Sequence, residues 1–239
     1  MSTSRQQILI LGGSSGIGLA AAARLARSGA DVCIAGRDQA KLDVALAQIG
    51  HGCVGRAINA TNRTQMEALL AEFGDLDHLV MTLSGGDGAG PFADLELEKL
   101  RRGFDAKFWP QVSAAQAALP KMRTGGSITF VTAASAGGHL PGTAGLAAIN
   151  GALNAIVPVL AVELKPLRIN AVSPGVIDTA WWDKWPADQK SALFADLAAS
   201  SPAGRVGQAE DVADAIAFLI GNSFITGQIL QCDGGIQLR

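Results

Sequence analysis

Residues 7–18 read Gln-Ile-Leu-Ile-Leu-Gly-Gly-Ser-Ser-Gly-Ile-Gly, a short apolar run that ends in a glycine-rich loop. The run predicts a buried strand over Gln7–Leu11, and the alanine-rich segment behind the loop predicts a helix over Gly16–Ser28. A glycine loop between a strand and a helix suits a pyrophosphate, because the helix N-terminus offers unpaired N–H groups and the positive end of its dipole. This stretch therefore predicts a dinucleotide-binding site at the start of a βαβ unit.

The glycines of this loop have separate predicted tasks. Gly12 permits a tight turn, Gly16 lets the backbone approach a pyrophosphate, and Gly18 lets the helix pack closely on the strand. The residues between them complete the predicted cofactor-binding loop; they are Ser14, Ser15 and Ile17.

Short apolar runs and longer helical patterns continue to alternate along the rest of the chain. Further strands are predicted over residues 31–37, 53–59, 78–83, 127–133, 168–174 and 228–232. Further helices are predicted over residues 39–49, 64–73, 96–119, 143–164 and 211–220. Apolar strands separated by helices indicate a parallel sheet covered on both faces. With right-handed crossovers, the pattern predicts an α/β fold: a Rossmann-type, doubly wound parallel sheet of seven strands with helices on both faces.

One segment interrupts this alternation. Residues 178–208 begin with the tryptophan-rich stretch DTAWWDKWPADQK, which follows the sixth predicted strand. Ligands of open α/β sheets bind beyond the carboxyl ends of the strands, so an insertion there is predicted to form a substrate lid. Because linkers, repeats and low-complexity stretches are not evident, we expect a single dinucleotide-binding domain over residues 1–239.

Composition narrows the function classes. The 239 residues carry a formal net charge of −2, which gives neither a basic footprint for nucleic acid nor a block of like charge for a membrane surface. The apolar run near the N-terminus, Ile8–Leu11, is too short for a signal peptide or a spanning helix. The three cysteines lack metal-ligand spacing. We therefore expect a soluble cytoplasmic protein without nucleic-acid, membrane or metal binding.

The end of the second predicted strand bears on the choice of cofactor. A fold that prefers NAD usually has an acidic residue here to hold the ribose 2′-hydroxyl. In this chain Gly36 takes that place and Arg37 follows, and a guanidinium can clamp a 2′-phosphate. The pattern predicts NADP(H). Two alternatives stay open: Arg37 could be a solvated surface residue, and Asp38 could repel a phosphate.

Several motifs in order resemble the short-chain dehydrogenase/reductase family. They are the Gly-x-x-x-Gly-x-Gly loop, the RINAVSPG stretch at 168–175, and the ITGQ and CDGG pairs within 225–235. The resemblance implies an NAD(P)-dependent oxidoreductase that acts on a small molecule and assembles as a homotetramer or homodimer through the 143–164 helix. It also implies cofactor contacts at Asn59, Ala60, Leu83, Pro174, Gly175, Ile177 and Thr179.

The resemblance stops at the catalytic positions. The family uses an Asn, a Ser, a Tyr and a Lys, and in this chain their places fall on Lys107, Ala133, Leu146 and Asn150, respectively. The chain contains no tyrosine, so no shift of alignment supplies the family's phenol. A general acid is typically worth about 10²–10⁴-fold in rate. Ordinary ketone reduction therefore needs another acid or is slow.

Three residues are candidates for the missing chemistry. Lys107 and Asn150 exchange the family's amide and amine, and a half-buried lysine can have a lowered pKa; the alternative is a helix lysine that faces solvent. His139 follows the fifth strand and titrates near neutral pH, so it could donate a proton. The alternative for His139 is an incidental loop residue.

Further residues are predicted to line the substrate pocket. Ala133 and Leu146 belong to it by position, and Ser84, Asp87 and Ser135 could add polar groups. Three tryptophans in the predicted lid would form an apolar wall for a hydrophobic substrate; they are Trp181, Trp182 and Trp185. Their alternative role is ordinary core packing.

Three functions remain open at this point. The leading one is an NADP(H)-dependent reductase of a substrate that is already polarised, such as an imine or another activated C=N, C=C or C=O group. The second is a non-redox enzyme, such as a cyclase, isomerase or lyase, on the same scaffold. The third is a cofactor-binding protein without catalysis.

Overall fold

The central sheet is parallel and has seven strands. The computed structural model describes residues 5–183 and 185–238 of the chain. The strands of this sheet are β1 Gln7–Leu11, β2 Asp31–Gly36, β3 Val54–Ala57, β4 Leu76–Met81, β5 Met122–Val131, β6 Arg168–Pro174 and β9 Ile229–Cys232. Their order is β3-β2-β1-β4-β5-β6-β9. The order reverses between β1 and β4, which creates the switch-point crevice of a doubly wound fold.

Helices cover both faces of the sheet. They are α1 Gly16–Arg27, α2 Gln39–Ile49, α3 Arg63–Phe73, α4 Leu97–Ala118, α5 Ala144–Glu163, α6 Ala187–Ser200 and α7 Ala209–Gly221. One apolar core lies between the sheet and α1, α2 and α7, and the other lies between the sheet and α3, α4 and α5. The predicted Rossmann-type architecture is confirmed.

The position of β1 in the middle of the sheet explains why its sequence is uninterrupted and apolar. Ile8 and Ile10 belong to the first core, while Leu9 and Leu11 belong to the second, and all four are buried. A parallel strand with helices on both sides has no solvent face, so both sets of alternating side chains must be apolar.

Some predicted strand boundaries are wrong, and β5 differs most. It begins at Met122, five residues before the predicted start. Its pairing with β4 shifts register between Leu76 and His78, and Gly125 in this irregular part has a φ of +81°. The predicted strand leaves Gly125 and Gly126 outside, whereas in the structure both lie within β5, in the part where its register shifts.

The predicted lid folds as a small unit of its own. It contains α6 and two short parallel strands that pair with each other, β7 Ile177–Asp178 and β8 Gly207–Gln208. The Nζ atom of Lys190 lies 2.9 Å from a carboxylate oxygen of Asp178 and so ties α6 to β7. Lys184 of this segment and residues 1–4 and 239 of the predicted domain lie outside the described residues. The action of residues 178–208 as a substrate lid stays a prediction.

Helix α5 is unusually apolar. It is long and apolar enough to cross a membrane by length and composition alone. In the structure it packs against the sheet through buried side chains such as Leu153 and Val157, and it leaves Val159 and Val162 largely exposed. Its predicted place in a subunit interface stays a prediction.

A buried histidine lies in the core between β4 and β5. The Nδ1 atom of His78 lies 2.8 Å from the hydroxyl of Ser127. Burial and, to a smaller extent, the nearby Arg168 guanidinium lower the pKa of His78 to about 4, although the Asp77 carboxylate acts in the opposite direction. The native state therefore holds this imidazole in its neutral form.

This burial predicts acid sensitivity. Between pH 6.5 and about 4, His78 is protonated in the unfolded chain and neutral in the native state. The free energy of unfolding therefore decreases as the pH falls through that window. The expected loss is about 1.4 kcal/mol per pH unit at its steepest. Urea unfolding between pH 7 and pH 4 measures it. His78→Gln is expected to flatten this slope, and His51→Asn, at an exposed histidine, is expected to keep it. An unchanged slope in His78→Gln would contradict the assignment.

Candidate active site

The glycine loop connects β1 to α1 and packs against Thr82, just after β4. Gly12 and Gly16 have φ values of +86° and +52°, a region that favours glycine. A Cβ atom on Gly18 would lie 2.3 Å from the carbonyl oxygen of Gly12 and 2.5 Å from the hydroxyl of Thr82. The close approach predicted for Gly18 is therefore present, and a side chain there would separate α1 from the loop.

The first turn of α1 has no side-chain cap. Ser15 is its N-cap residue and makes no side-chain hydrogen bond to it, whereas Asp38 caps α2 and Asn62 caps α3. N–H groups at an uncapped helix N-terminus suit an anion. The loop fits a dinucleotide pyrophosphate, with Ser14 and Ile17 completing its surface.

The end of β2 places Arg37 in solvent. A Cβ atom on Gly36 would lie 3.3 Å from the Ser14 hydroxyl, so the glycine loop leans on this strand end. The Arg37 side chain is exposed and has no ion pair or hydrogen bond within the described part of the chain. The carboxylate of Asp38 accepts the N–H of Lys41 at 3.1 Å. The Asp38 carboxylate therefore caps the N-terminus of α2.

Asn59 follows β3 on the same side of the crevice. Its Oδ1 atom accepts the N–H and the hydroxyl of Thr61, at 3.1 and 2.8 Å. This local turn occupies the amide oxygen, so the predicted cofactor contact of Asn59 would use the amide nitrogen. The neighbouring Ala60 is buried.

The loop after β6 closes the crevice from the opposite side. Pro174 is buried, and a Cβ atom on Gly175 would lie 2.8 Å from the Cα atom of Asp233. Ile177 is buried, and Thr179 approaches to 3.3 Å from the position of a Cβ on Gly16. The predicted cofactor residues at the two ends of the chain thus meet around one groove.

Lys107 points into the protein. Only 9% of this residue is exposed, and its Nζ atom donates to the carbonyl oxygen of Thr132 at 2.9 Å. Burial lowers the pKa of Lys107 to about 7. The alternative of a lysine that faces solvent is therefore wrong.

Gln111 lies one helical turn beyond Lys107 and is fully buried. Its Nε2 atom donates to the carbonyl oxygens of Leu83, at 3.1 Å, and Val131, at 3.4 Å, while its Oε1 atom is buried without a partner. The sequence reasoning missed this residue. Its signal was the i, i+4 spacing from Lys107, which puts two polar side chains on one helix face.

Asn150 approaches the same strand end from α5. Its Nδ2 atom donates to the hydroxyl of Ser135, at 3.2 Å, and to the carbonyl oxygen of Leu146, at 2.9 Å. Its Oδ1 atom is buried without a partner. Lys107, Gln111 and Asn150 each donate a hydrogen bond to a residue between Val131 and Ser135, at or just after the end of β5. We call these three side chains the β5-exit cluster.

The positions predicted from the sequence for the family's serine and tyrosine carry apolar side chains. Ala133 and Leu146 are half-buried next to the cluster. The groups able to bond a substrate heteroatom around this point are the buried amine, two amides and the hydroxyl of Ser135.

The structure does not bring the other polar candidates into the cluster. His139 is exposed and has no hydrogen bond or ion pair among the described residues. Ser84 is exposed, with its hydroxyl donating to the carbonyl oxygen of Gly85 at 3.3 Å. Asp87 forms an ion pair with Arg102 at 3.0 Å.

The tryptophans form the core of the lid segment. The Trp182 ring is in edge contact with Trp181, Trp185 and Phe194, with ring centroids 4.7–5.5 Å apart. Its Nε1 atom donates to the carbonyl oxygen of Ile177 at 3.0 Å. Trp182 is therefore a packing residue. Trp181 and Trp185 have 40% and 39% of their surface exposed, respectively, and can face a substrate.

The buried amine predicts a measurable cost in stability. Below pH 10.5 the unfolded chain binds a proton at Lys107 more tightly than the native state, so stability is lost as the pH falls towards about 7. Lys107→Met keeps the length of the side chain and removes the amine. It is expected to raise the free energy of unfolding at pH 7 by about 2 kcal/mol, since each tenfold change in proton affinity is worth about 1.4 kcal/mol and the Thr132 bond is lost.

Urea unfolding at pH 7 and pH 10 measures this gain, which is expected to shrink at the higher pH. Lys99→Met is the control, because Lys99 lies on the same helix and pairs with Glu96 at the surface. A destabilised Lys107→Met protein at pH 7 would show that the amine contributes to folding.

Comparison with known sequences places this geometry in a family. A sequence model described as enoyl-(acyl carrier protein) reductase matches residues 12–237. An uncharacterised oxidoreductase of Methylorubrum extorquens is 35% identical, over 96% of this chain and 96% of its own length. A cis-4-hydroxycyclohexanecarboxylate dehydrogenase of Sinomonas cyclohexanicum is 34% identical, over 95% and 94%.

Solved structures agree with the sequence matches. The crystal structure of a small-chain dehydrogenase in complex with NADPH has a TM-score of 0.87 and 33% identity, and the match covers 99% of this chain and 100% of that one. The match extends over both ends of the groove and the lid segment between them. The chain belongs to the short-chain dehydrogenase/reductase family of NAD(P)-dependent oxidoreductases.

Proposed function

We propose that this protein is an NADP(H)-dependent reductase whose active site differs from that of its family. The observation that carries the proposal is the N-terminus of α1, which has no side-chain cap and lies at the switch point between β1 and β4, while the β5-exit cluster lies at the end of the next strand of the sheet. Nicotinamide dinucleotides supply hydride transfer, and the fold's task is to position them against a substrate. The NADPH complex of the small-chain dehydrogenase supports this choice of cofactor.

The 2′-phosphate preference rests on Arg37. Its guanidinium is exposed at the end of β2, and Gly36 leaves no carboxylate at the place where NAD-preferring folds hold a ribose hydroxyl. The Asp38 carboxylate is engaged with the N-terminus of α2. Both observations favour a phosphate over a hydroxyl at this point.

The substrate class follows from the groups around Ala133 and Leu146. The chain has no tyrosine, and these two side chains cannot donate a proton to a carbonyl oxygen. A protonated imine or an activated alkene needs less help from an acid than a simple ketone does. The partly exposed rings of Trp181 and Trp185 suit an apolar substrate. We infer an apolar substrate with a polarised C=N, C=C or C=O bond.

The first test concerns the cofactor. Arg37→Ala is expected to weaken NADPH binding by roughly 10- to 100-fold, because it removes charge-assisted hydrogen bonds worth about 1.5–3 kcal/mol. NADH binding is expected to change by less than about threefold, since NADH lacks the phosphate. Isothermal titration calorimetry measures both. Arg63→Ala, at an exposed arginine paired with Glu67, serves as the control. Equal affinities of the unmodified protein for NADPH and NADH would contradict the NADP(H) preference.

The second test concerns the reaction. Single-turnover oxidation of bound NADPH is followed by absorbance with a panel of apolar cyclic imines, enones and ketones. Imines or enones are expected to react at least about 100-fold faster than matched ketones, the lower end of what a general acid contributes. Ketone reduction at comparable rates would overturn the preference. Product formation without cofactor oxidation would instead indicate an isomerase, cyclase or lyase, and NADPH binding without any turnover a binding protein.

A further inference from the structure

The contacts of the Lys107 amine place it at the carboxyl end of β5. Its Nζ atom bonds the carbonyl oxygen of Thr132, immediately after β5. The N–H and hydroxyl of Thr132 bond the carbonyl oxygen of Val172 in β6, two residues before the Pro174–Gly175 loop. The amine therefore lies at the β5–β6 side of the crevice. Gly36 and Asn59, which mark the adenosine side, follow β2 and β3 across the switch point.

No carboxylate balances this amine within the described residues. On α4, Asp105 is exposed and Arg102 pairs with Asp87 of the β4–α4 loop. His139 of the β5–α5 loop is exposed, and Asp178 of the loop after β6 pairs with Lys190. Burial is the sole cause of the lowered Lys107 pKa, with no contribution from any charged neighbour.

A proton on Lys107 has few hydrogen-bond acceptors within the β5-exit cluster. The Oε1 atom of Gln111 and the Oδ1 atom of Asn150 are buried acceptors without partners, and both belong to side chains of the β5-exit cluster. An ammonium has three donors, of which the Thr132 carbonyl oxygen takes one. Neither amide oxygen accepts from the Lys107 amine, so among the described residues a protonated Lys107 has one hydrogen bond and no neutralising charge.

The two redox forms of the cofactor differ at this end of the groove. The oxidised nicotinamide ring carries one positive charge and the reduced ring carries none, while the phosphates are identical. Two like charges in a water-poor site repel strongly because the local dielectric is low. A neutral ring does not repel an ammonium.

We propose that a proton on Lys107 and the positive charge of an oxidised nicotinamide exclude each other, so that NADP⁺ binding expels this proton and NADPH binding retains it. The balance is simple: the ammonium becomes an amine, and one proton passes to solvent when NADP⁺ enters. The inference rests on the proposed function, since it requires NADP(H) in the groove. By linkage, acidification weakens the binding of NADP⁺ relative to that of NADPH. A lower pH therefore favours release of NADP⁺, the oxidised cofactor that a reduction leaves in the site.

The ratio of two dissociation constants tests this coupling without any substrate. Calorimetry gives the Kd of NADP⁺ and of NADPH from pH 5.5 to pH 8.5. Protonation of the 2′-phosphate affects both cofactors alike and cancels in the ratio. The ratio of the NADP⁺ Kd to the NADPH Kd is expected to rise at least about tenfold from pH 8.5 to pH 5.5. A ratio that does not change with pH would overturn the proposal.

A second readout counts the proton directly. Titrations near pH 6 in buffers of different ionisation enthalpy are expected to show release of up to one more proton with NADP⁺ than with NADPH. Lys107→Met is expected to abolish both this difference and the pH dependence of the ratio, whereas Lys99→Met on the same helix is expected to keep them. Persistence of either effect in Lys107→Met would assign it to another group and overturn the proposal.

The outcomes separate this inference from the proposed function. NADPH binding with a ratio that is constant with pH overturns the inference and leaves the reductase assignment intact. Failure of both cofactors to bind at every pH overturns the proposed function and the inference together. If Lys107→Met does not fold, the buffer titrations on the unmodified protein still decide the proton release.

Discussion

The contact of Gly18 with the carbonyl oxygen of Gly12 is the constraint on which the rest of the site depends. Because position 18 has no side chain, α1 seats directly on the glycine loop and against Thr82, where β4 leaves the sheet. That seat aligns the N-terminus of α1 with the crevice between β1 and β4. It also brings Thr179, from the far end of the chain, next to Gly16. The absence of a side chain at Gly18 thus links the strand order of the sheet to the shape of the groove.

The groove has two ends with opposite physical character. At the adenosine end the polar groups are exposed or engaged in local turns, as Arg37 and Asn59 show. At the other end a lysine and two amides are buried. Their three nitrogen atoms donate to carbonyl oxygens, and the two amide oxygens have no partner among the described residues. Burying an unpaired ammonium costs free energy. Such a cost is typical of functional sites, where the surrounding fold holds groups that would not be stable there by themselves.

In the alignment predicted from the sequence, the four positions of the family's catalytic residues are filled by other residues in this chain. Leu146 and Ala133 remove the phenol and the hydroxyl, while Lys107 and Asn150 keep one amine and one amide around the end of β5. Gln111 adds a second amide next to the amine and bonds the ends of both β4 and β5. The result is a site with hydrogen-bond donors and buried acceptors and a single group that titrates near neutral pH.

The sequence by itself determined the sheet, its helices and the glycine loop, because these depend on local periodicity and on glycine at a strand–helix junction. Its order of motifs also located Lys107 and Asn150. It could not predict that the Lys107 side chain turns inward, since one α4 residue can face either the sheet or solvent until the helix is packed. The role of Gln111, the exposure of His139 and the division of the tryptophans into one packed and two exposed rings were likewise decided by tertiary contacts between distant segments.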